Sequence, residues 1–248
     1  MKIKLLLLVG ILLFGVVGQA RAEDGFKIAG LGVAFSTNPY RGEDNKVMPV
    51  PLIMGEYKGF YIKGIEAGYH LVNGETLKIS VLAAPRFMGF DTGGNDWLTG
   101  LDDREGSYDA GVRIAVTMPW EGGSLGAKLV TDVGDKSNGQ EADVYLSQKI
   151  KGETWSLTPS AGVRFQSTQM VGYYYQVQSH EVAANRAEYD PDNALNYFGD
   201  ATFVLGIAED WVLIAKAGME GLSSEIKDSP IVDEDYLLSG LLGVARKF

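Results

Sequence analysis

Ser179-His180-Glu181 sets a hydroxyl, an imidazole and a carboxylate side by side. A serine-hydrolase triad uses the same three groups: the imidazole takes the serine proton and the carboxylate orients the imidazole. Consecutive residues of one segment point apart, however, and working triads are assembled from separate segments. The run also lies in a polar stretch, 167–194, so His180 reads as a solvated loop histidine. His70, the second of two histidines, follows Tyr69 and has no partner at metal-binding spacing. Asp132, Asp135, Ser137 and Asn138 form an oxygen-rich loop. A calcium loop would place acids at alternate positions and close on a glutamate; Val133-Gly134 interrupts that pattern, and Asn138-Gly139 marks an Asx-rich turn. Cysteine is absent, which removes disulfides, thiolate metal sites and cysteine nucleophiles. No catalytic, cofactor-binding or metal-binding residue is therefore assigned, and the chain is not expected to be an enzyme.

The remaining charges gain meaning from the elements that would position them. Met1-Lys2-Ile3-Lys4, an apolar run from Leu5 to Val17 and Ala20-Arg21-Ala22 form a basic, apolar and small-residue series. That series predicts a secretory signal peptide over 1–22, with one mature domain over 23–248. The formal net charge is −10; Lys2, Lys4 and Arg21 leave with the leader, which takes the mature chain to −13. Such acidity argues against a nucleic-acid partner held through phosphates.

Beyond residue 22 the chain shows period-two alternation in segments of strand length. Tyr108, Ala110, Val112, Ile114 and Val116 share one face, opposite Asp109, Gly111, Arg113 and Ala115. Trp155, Leu157, Ala161, Val163 and Phe165 oppose Ser156, Thr158, Ser160, Gly162 and Arg164. A soluble sandwich also alternates. Here the second face is small and polar with isolated charges, and aromatics such as Tyr57, Trp120, Trp155, Trp211 and Phe248 cluster at segment ends. Interfacial girdles of a membrane barrel have that placement. In lipid every backbone polar group must be paired, so spanning strands must close on themselves. The expected fold is an all-β, antiparallel transmembrane β-barrel with periplasmic termini, in the outer membrane of a Gram-negative bacterium.

The expected strands are 26–36, 47–57, 59–71, 75–90, 107–118, 122–132, 141–150, 154–166, 195–208, 210–220 and 236–248. Such barrels have even strand numbers, and the loop 37–46 has the wrong parity to share a side with the other long loops. One boundary before residue 91 is therefore misplaced, and twelve strands are expected, with ten as the alternative. Pro49 and Pro51 weaken 47–57 as an interior strand. Glu66, Lys78, Arg86, Asp109, Arg113, Lys128, Asp143, Lys149, Arg164 and Lys216 fall on inward faces and should pair across the lumen, because an unpaired buried charge is costly. Either a packed, salt-bridged core or a narrow pore would use them. Tyr173-Tyr174-Tyr175 is either a candidate interaction loop, since tyrosine brings contact area at modest entropy cost, or part of a loop folded into the barrel mouth.

Several phrases in order carry a family resemblance: Pro39-Tyr40-Arg41-Gly42, Pro49-Val50-Pro51-Leu52, Glu66-Ala67-Gly68-Tyr69-His70-Leu71, Leu101-Asp102-Asp103-Arg104, Ser137-Asn138-Gly139, Leu157-Thr158-Pro159, Tyr189-Asp190-Pro191 and Asp228-Ser229-Pro230-Ile231-Val232-Asp233. The chain resembles the MipA/OmpV family of MltA-interacting outer-membrane scaffold proteins. It departs at Arg246, where the family tends to have an aromatic two places before the final Phe. The resemblance implies a non-enzymatic barrel in outer-membrane lipid that recruits a lytic transglycosylase and a bifunctional murein synthase. A pore, uptake or adhesion protein is the alternative, and an outer-membrane hydrolase a further one.

Overall fold

The computed structural model describes residues 27–248, so the expected leader lies outside the described residues. Among the described residues the strand segments are β1 (Ile28–Ser36), β2 (Lys46–Tyr57), β3 (Phe60–Lys63), β4 (Glu66–Asn73), β5 (Leu77–Arg86), β6 (Ser107–Thr117), β7 (Gly123–Asp132), β8 (Gln140–Gln148), β9 (Ile150–Lys151), β10 (Trp155–Gln166), β11 (Ala194–Gly206), β12 (Trp211–Gly221) and β13 (Tyr236–Lys247). Two short helices, α1 (Thr168–Tyr175) and α2 (Ser224–Lys227), lie in the connections. Each strand pairs antiparallel with its neighbours, and β1 meets β13 from Ile28↔Lys247 to Ser36↔Ser239, which closes the sheet. β8 and β9 are one stave broken at Lys149, for both pair with β10. Pro159, which has no amide to donate, lies in β10 between those two ladders. The result is a closed barrel of twelve staves.

The misplaced boundary is the expected strand 59–71. It holds two strands that reverse at Gly64-Ile65, where Lys63 pairs with Glu66. Gly64 has φ +64°, a left-handed conformation that glycine adopts without strain. With that reversal, the long connections 37–45, 87–106, 133–139, 167–193 and 222–235 all lie at one end. The other end carries the short turns and the residues of the β1–β13 seam nearest the termini. The two-residue turn Lys58-Gly59, with φ +48° and +84°, is a tight hairpin of the kind that fits strand twist.

Alternation assigns the faces. Leu31, Val33, Val112, Ile114, Val144, Leu146 and Leu242 are exposed on the outside, as a lipid-facing belt requires. Inside, Ile28, Leu52, Val212, Ile214 and Ala245 pack together along the β1, β2, β12 and β13 wall. At the long-loop end the connections build a second apolar core around Tyr40, Phe90, Leu98, Met170, Tyr174, Ile226 and Ile231. No helix among the described residues is long and apolar enough to cross a membrane; the strands do so.

Candidate functional site

The polar side of the lumen holds a continuous belt of ion pairs. Arg86 on β5 bonds Asp109 on β6 at 2.6 Å and Glu141 on β8 at 3.0 Å. Lys128 on β7 lies 3.2 Å from Glu141 and 2.9 Å from Asp143. Arg164 on β10 reaches Asp143 at 2.9 Å and Glu220 on β12 at 2.6 Å. Gln166 donates to the Glu141 oxygen that Arg86 also reaches, and Asn196 to the second oxygen of Glu220. Both signs therefore alternate across the interior, which offsets the cost of taking each charge out of water. Nearer the short-turn end, Arg113 forks onto Glu66, which also accepts from the Tyr61 hydroxyl at 3.0 Å. Lys216 pairs with Asp200 at 3.3 Å.

Eight of the ten charges read from the sequence thus enter these pairs. Lys78 lines a cavity instead, and Lys149 is exposed at the β8–β9 break; neither joins an ion pair among the described residues. Glu141, Asp200 and Glu220 were missed. The signal was available: Glu141 has the parity of Asp143, and Glu220 that of Lys216.

The tyrosine run takes the second of its two expected placements, folded into the barrel mouth. Ser167 caps α1 by accepting from the Met170 amide, and the helix turns Tyr174 and Tyr175 inward, 0 % and 2 % exposed. They pack near Tyr40, which meets Phe90 edge-on at 4.6 Å. Burial raises the phenol pKa of Tyr40, Tyr174 and Tyr175, so all three stay neutral. Only Tyr173 keeps part of its ring exposed, and its hydroxyl accepts from the Glu105 amide at 3.0 Å. Two of the three tyrosines are therefore plug residues, not a free docking surface.

The other candidate chemistry resolves into structure. His180 is exposed, with Nε2 3.2 Å from Asp102 Oδ2. Neighbouring Glu181 is buried and forked by Arg104, and it also accepts from the amides of Asp102 and Gln178. Asp102, His180 and Glu181 come together as a metal set would, but the Glu181 lone pairs are already occupied by donors. Asp132 accepts from the Ser107 hydroxyl and from the amides of Gly134, Lys136, Ser137 and Asn138. Its carboxylate holds the turn. A cluster unforeseen in the sequence sits at the short-turn end, where His70 Nδ1 lies 2.8 Å from Ser80 Oγ and Nε2 lies 3.6 Å from Glu56. Tyr61 stacks on the imidazole at 4.6 Å. The carboxylate is beyond hydrogen-bond reach, and the surrounding strand amides belong to ladders rather than to an oxyanion hole.

Two cavities flank the belt. One of about 200 Å³ lies under the cap and is lined by Asn38, Tyr40, Lys46, Arg86, Gln166 and Asn196. One of about 320 Å³ lies at the short-turn end among Glu56, Tyr61, Lys63, His70, Lys78 and Arg113. These two share no lining residue, whereas a third, of about 290 Å³ beside Asp200 and Lys216, shares Ser36, Arg164, Glu220 and Leu237 with the first.

A family described as MltA-interacting protein MipA matches residues 29–248. The chain belongs to that family. The MltA-interacting protein of Escherichia coli K12 is 32 % identical over 252 residues, covering 100 % of this chain and 99 % of that protein. The putative outer membrane protein YiaT of the same strain is 30 % identical over 239 residues, 95 % of this chain and 96 % of its own. Among solved structures, the NanC porin superposes with a TM-score of 0.48 at 10 % identity, over 89 % of this chain and 100 % of that one. The MipA-family barrel described here is an outer-membrane protein.

Proposed function

We propose that this barrel is a non-enzymatic scaffold whose short-turn end faces the periplasm and recruits a lytic transglycosylase together with a bifunctional murein synthase. The observation that carries this reading is the filled interior. An ion-pair belt crosses the lumen, a loop core covers one end, and the flanking cavities share no lining residue. Small barrels fill with side chains in this way, and the chemistry of the interior is then structural. The transglycosylase partner is taken from the printed name of the Escherichia coli relative; the synthase is the finer step of the proposal.

The test is affinity capture of the tagged protein from crosslinked envelopes, with an unrelated outer-membrane barrel as control. Enrichment of both murein enzymes over the control is the expected result; enrichment of neither overturns the scaffold. A second reading, a narrow uptake pore, is favoured by the polar cavity at the short-turn end, where Lys78 has no ion-pair partner among the described residues. Planar-bilayer recordings separate the two: the scaffold is silent, whereas a pore gives discrete steps that Lys78→Glu alters.

A further inference from the structure

The barrel wall is interrupted on one side. β2 is twelve residues long, but β3 covers only Met54–Tyr57 of it. β4 leaves β5 uncovered beyond Ala83. No ladder joins Lys46–Ile53 of β2 to Ala84–Arg86 of β5. The two staves absent at this height correspond to roughly 10 Å of wall. The sill of the gap is the Gly64-Ile65 turn, where a side chain added at Gly64 would meet nothing within 4 Å. At the top, Lys46 Nζ donates to the Gly89 carbonyl at 3.2 Å.

The edges of the gap are chemically distinctive. Along a strand, backbone polar groups point to alternate sides. Gly64 N donates to Ile53 O, so the odd-numbered residues of β2 face the β3 side, Pro49 and Pro51 among them. His70 N donates to Gly59 O, so Ala67 and Tyr69 face β5, and their partners Ala83 and Val81 face back. Pro85 has the parity of Ala83 and Val81. Proline thus stands at three positions where an amide would otherwise project into the gap. Hydrocarbon cannot satisfy an orphan N–H, and an incoming β-strand would need those donors. An acyl chain needs none.

Behind the gap lies the cavity under the cap, touched by Lys46 from one edge and by Arg86, Phe87, Met88 and Gly89 from the other. Asn38 and Tyr40 also line it, 5 % and 2 % exposed, and Asn38 Nδ2 and the Tyr40 hydroxyl have no hydrogen-bond partner among the described residues. Buried donors left open in this way call for an acceptor, and the Lys46 ammonium has further protons to give. Val47, Ile65 and Phe87 are exposed around the outer rim.

We propose that the gap between β2 and β5 is a lateral binding site for a phosphate-bearing membrane lipid. One acyl chain lies between the strand edges, and the headgroup oxygens accept from Asn38, Tyr40 and Lys46 in the chamber. The inference needs the membrane placement and is independent of any murein partner. To test it, the mature chain is reconstituted in nanodiscs with phosphatidylglycerol carrying a diazirine in one acyl chain, irradiated, digested and mapped by mass spectrometry. Adducts at 47–53, 65 and 84–87 should exceed those on the outer faces of β6 and β8 by roughly tenfold, the ratio given by a preference of about 1.4 kcal/mol. Lys46→Gln combined with Tyr40→Phe should lower the adducts at the gap several-fold while the heat-modifiable gel mobility of the folded barrel persists. Adducts spread evenly around the wall overturn the site. A gap-centred map unchanged in the double variant overturns the headgroup assignment.

Discussion

The two ends of the barrel solve one problem, an unwanted hole, by opposite means. At the long-loop end, segments distant in sequence contribute apolar side chains to a dry core, with Tyr40, Leu98, Met170, Tyr174 and Ile226 at its centre. At the short-turn end there is too little chain for a lid, since turns such as Lys58-Gly59 have no side chains to spare. There one wall of the lumen is apolar, and the rest relies on charges that reach past an intervening stave, such as Arg113 on β6 with Glu66 on β4. The dry end can lose an atom and keep its shape approximately. The charged interior is less tolerant, because each group removed takes counter-charge from several buried partners at once, and a buried charge left short of counter-charge is costly.

That contrast orders the expected effects. Glu141→Ala should be the most damaging change, since Arg86, Lys128 and Arg164 all converge on Glu141. A loss of about 3–5 kcal/mol is expected from urea titration of the folded barrel in detergent micelles. A loss under about 1 kcal/mol would show the belt to be well hydrated, against the filled lumen. Tyr175→Ala should cost about 3 kcal/mol through the cavity it opens in the cap. Limited proteolysis should then cut 167–193 first and leave the strands protected. Simultaneous loss of both would mean that cap and barrel are one cooperative unit. Lys78→Gln should shift stability by no more than about 0.5 kcal/mol, because it removes no pair.

The smallest effect concerns acid. Thr168 and the Asn193 amide donate to Asp192 and hold its carboxyl below the usual range. A lowered folded-state pKa gives a contribution that is present above about pH 4 and lost as pH falls through the folded value. With the intrinsic pH dependence of amide exchange divided out, protection at the start of α1 should therefore fall slightly at low pH. Thr168→Val should abolish that change, and an unaltered acid response in this variant would assign it to another group.

Much of this was readable in advance because a membrane wall forces alternation. Val112, Ile114, Asp109 and Arg113 declare their faces by parity alone, and from there the pairing of opposite signs follows. The reversal at Gly64-Ile65 was masked because apolar residues recur on either side of it; its trace is a change of parity, from Phe60 and Ile62 to Ala67 and Tyr69. The sequence left the burial of Tyr174 and Tyr175 open between two readings. Their neighbours Tyr40 and Phe90 come from other loops, and a period read along one segment carries no record of contacts between segments. The meeting of His70 with Ser80 and Glu56 escaped for the same reason, since it depends on which strands lie side by side.

The seam between β1 and β13 has a kinetic consequence. There Thr37 and Leu238, 201 positions apart, are brought within a hydrogen bond of each other. Until the last stave arrives, both rims of the sheet carry open rows of donors and acceptors, which invite pairing with other chains. Contacts between such distant positions repay their loop-closure entropy only late, so the ring is slow to form however strong the finished ladder is. Time spent as an unclosed sheet, rather than the stability of the closed one, is then what limits how much of this chain reaches its native form.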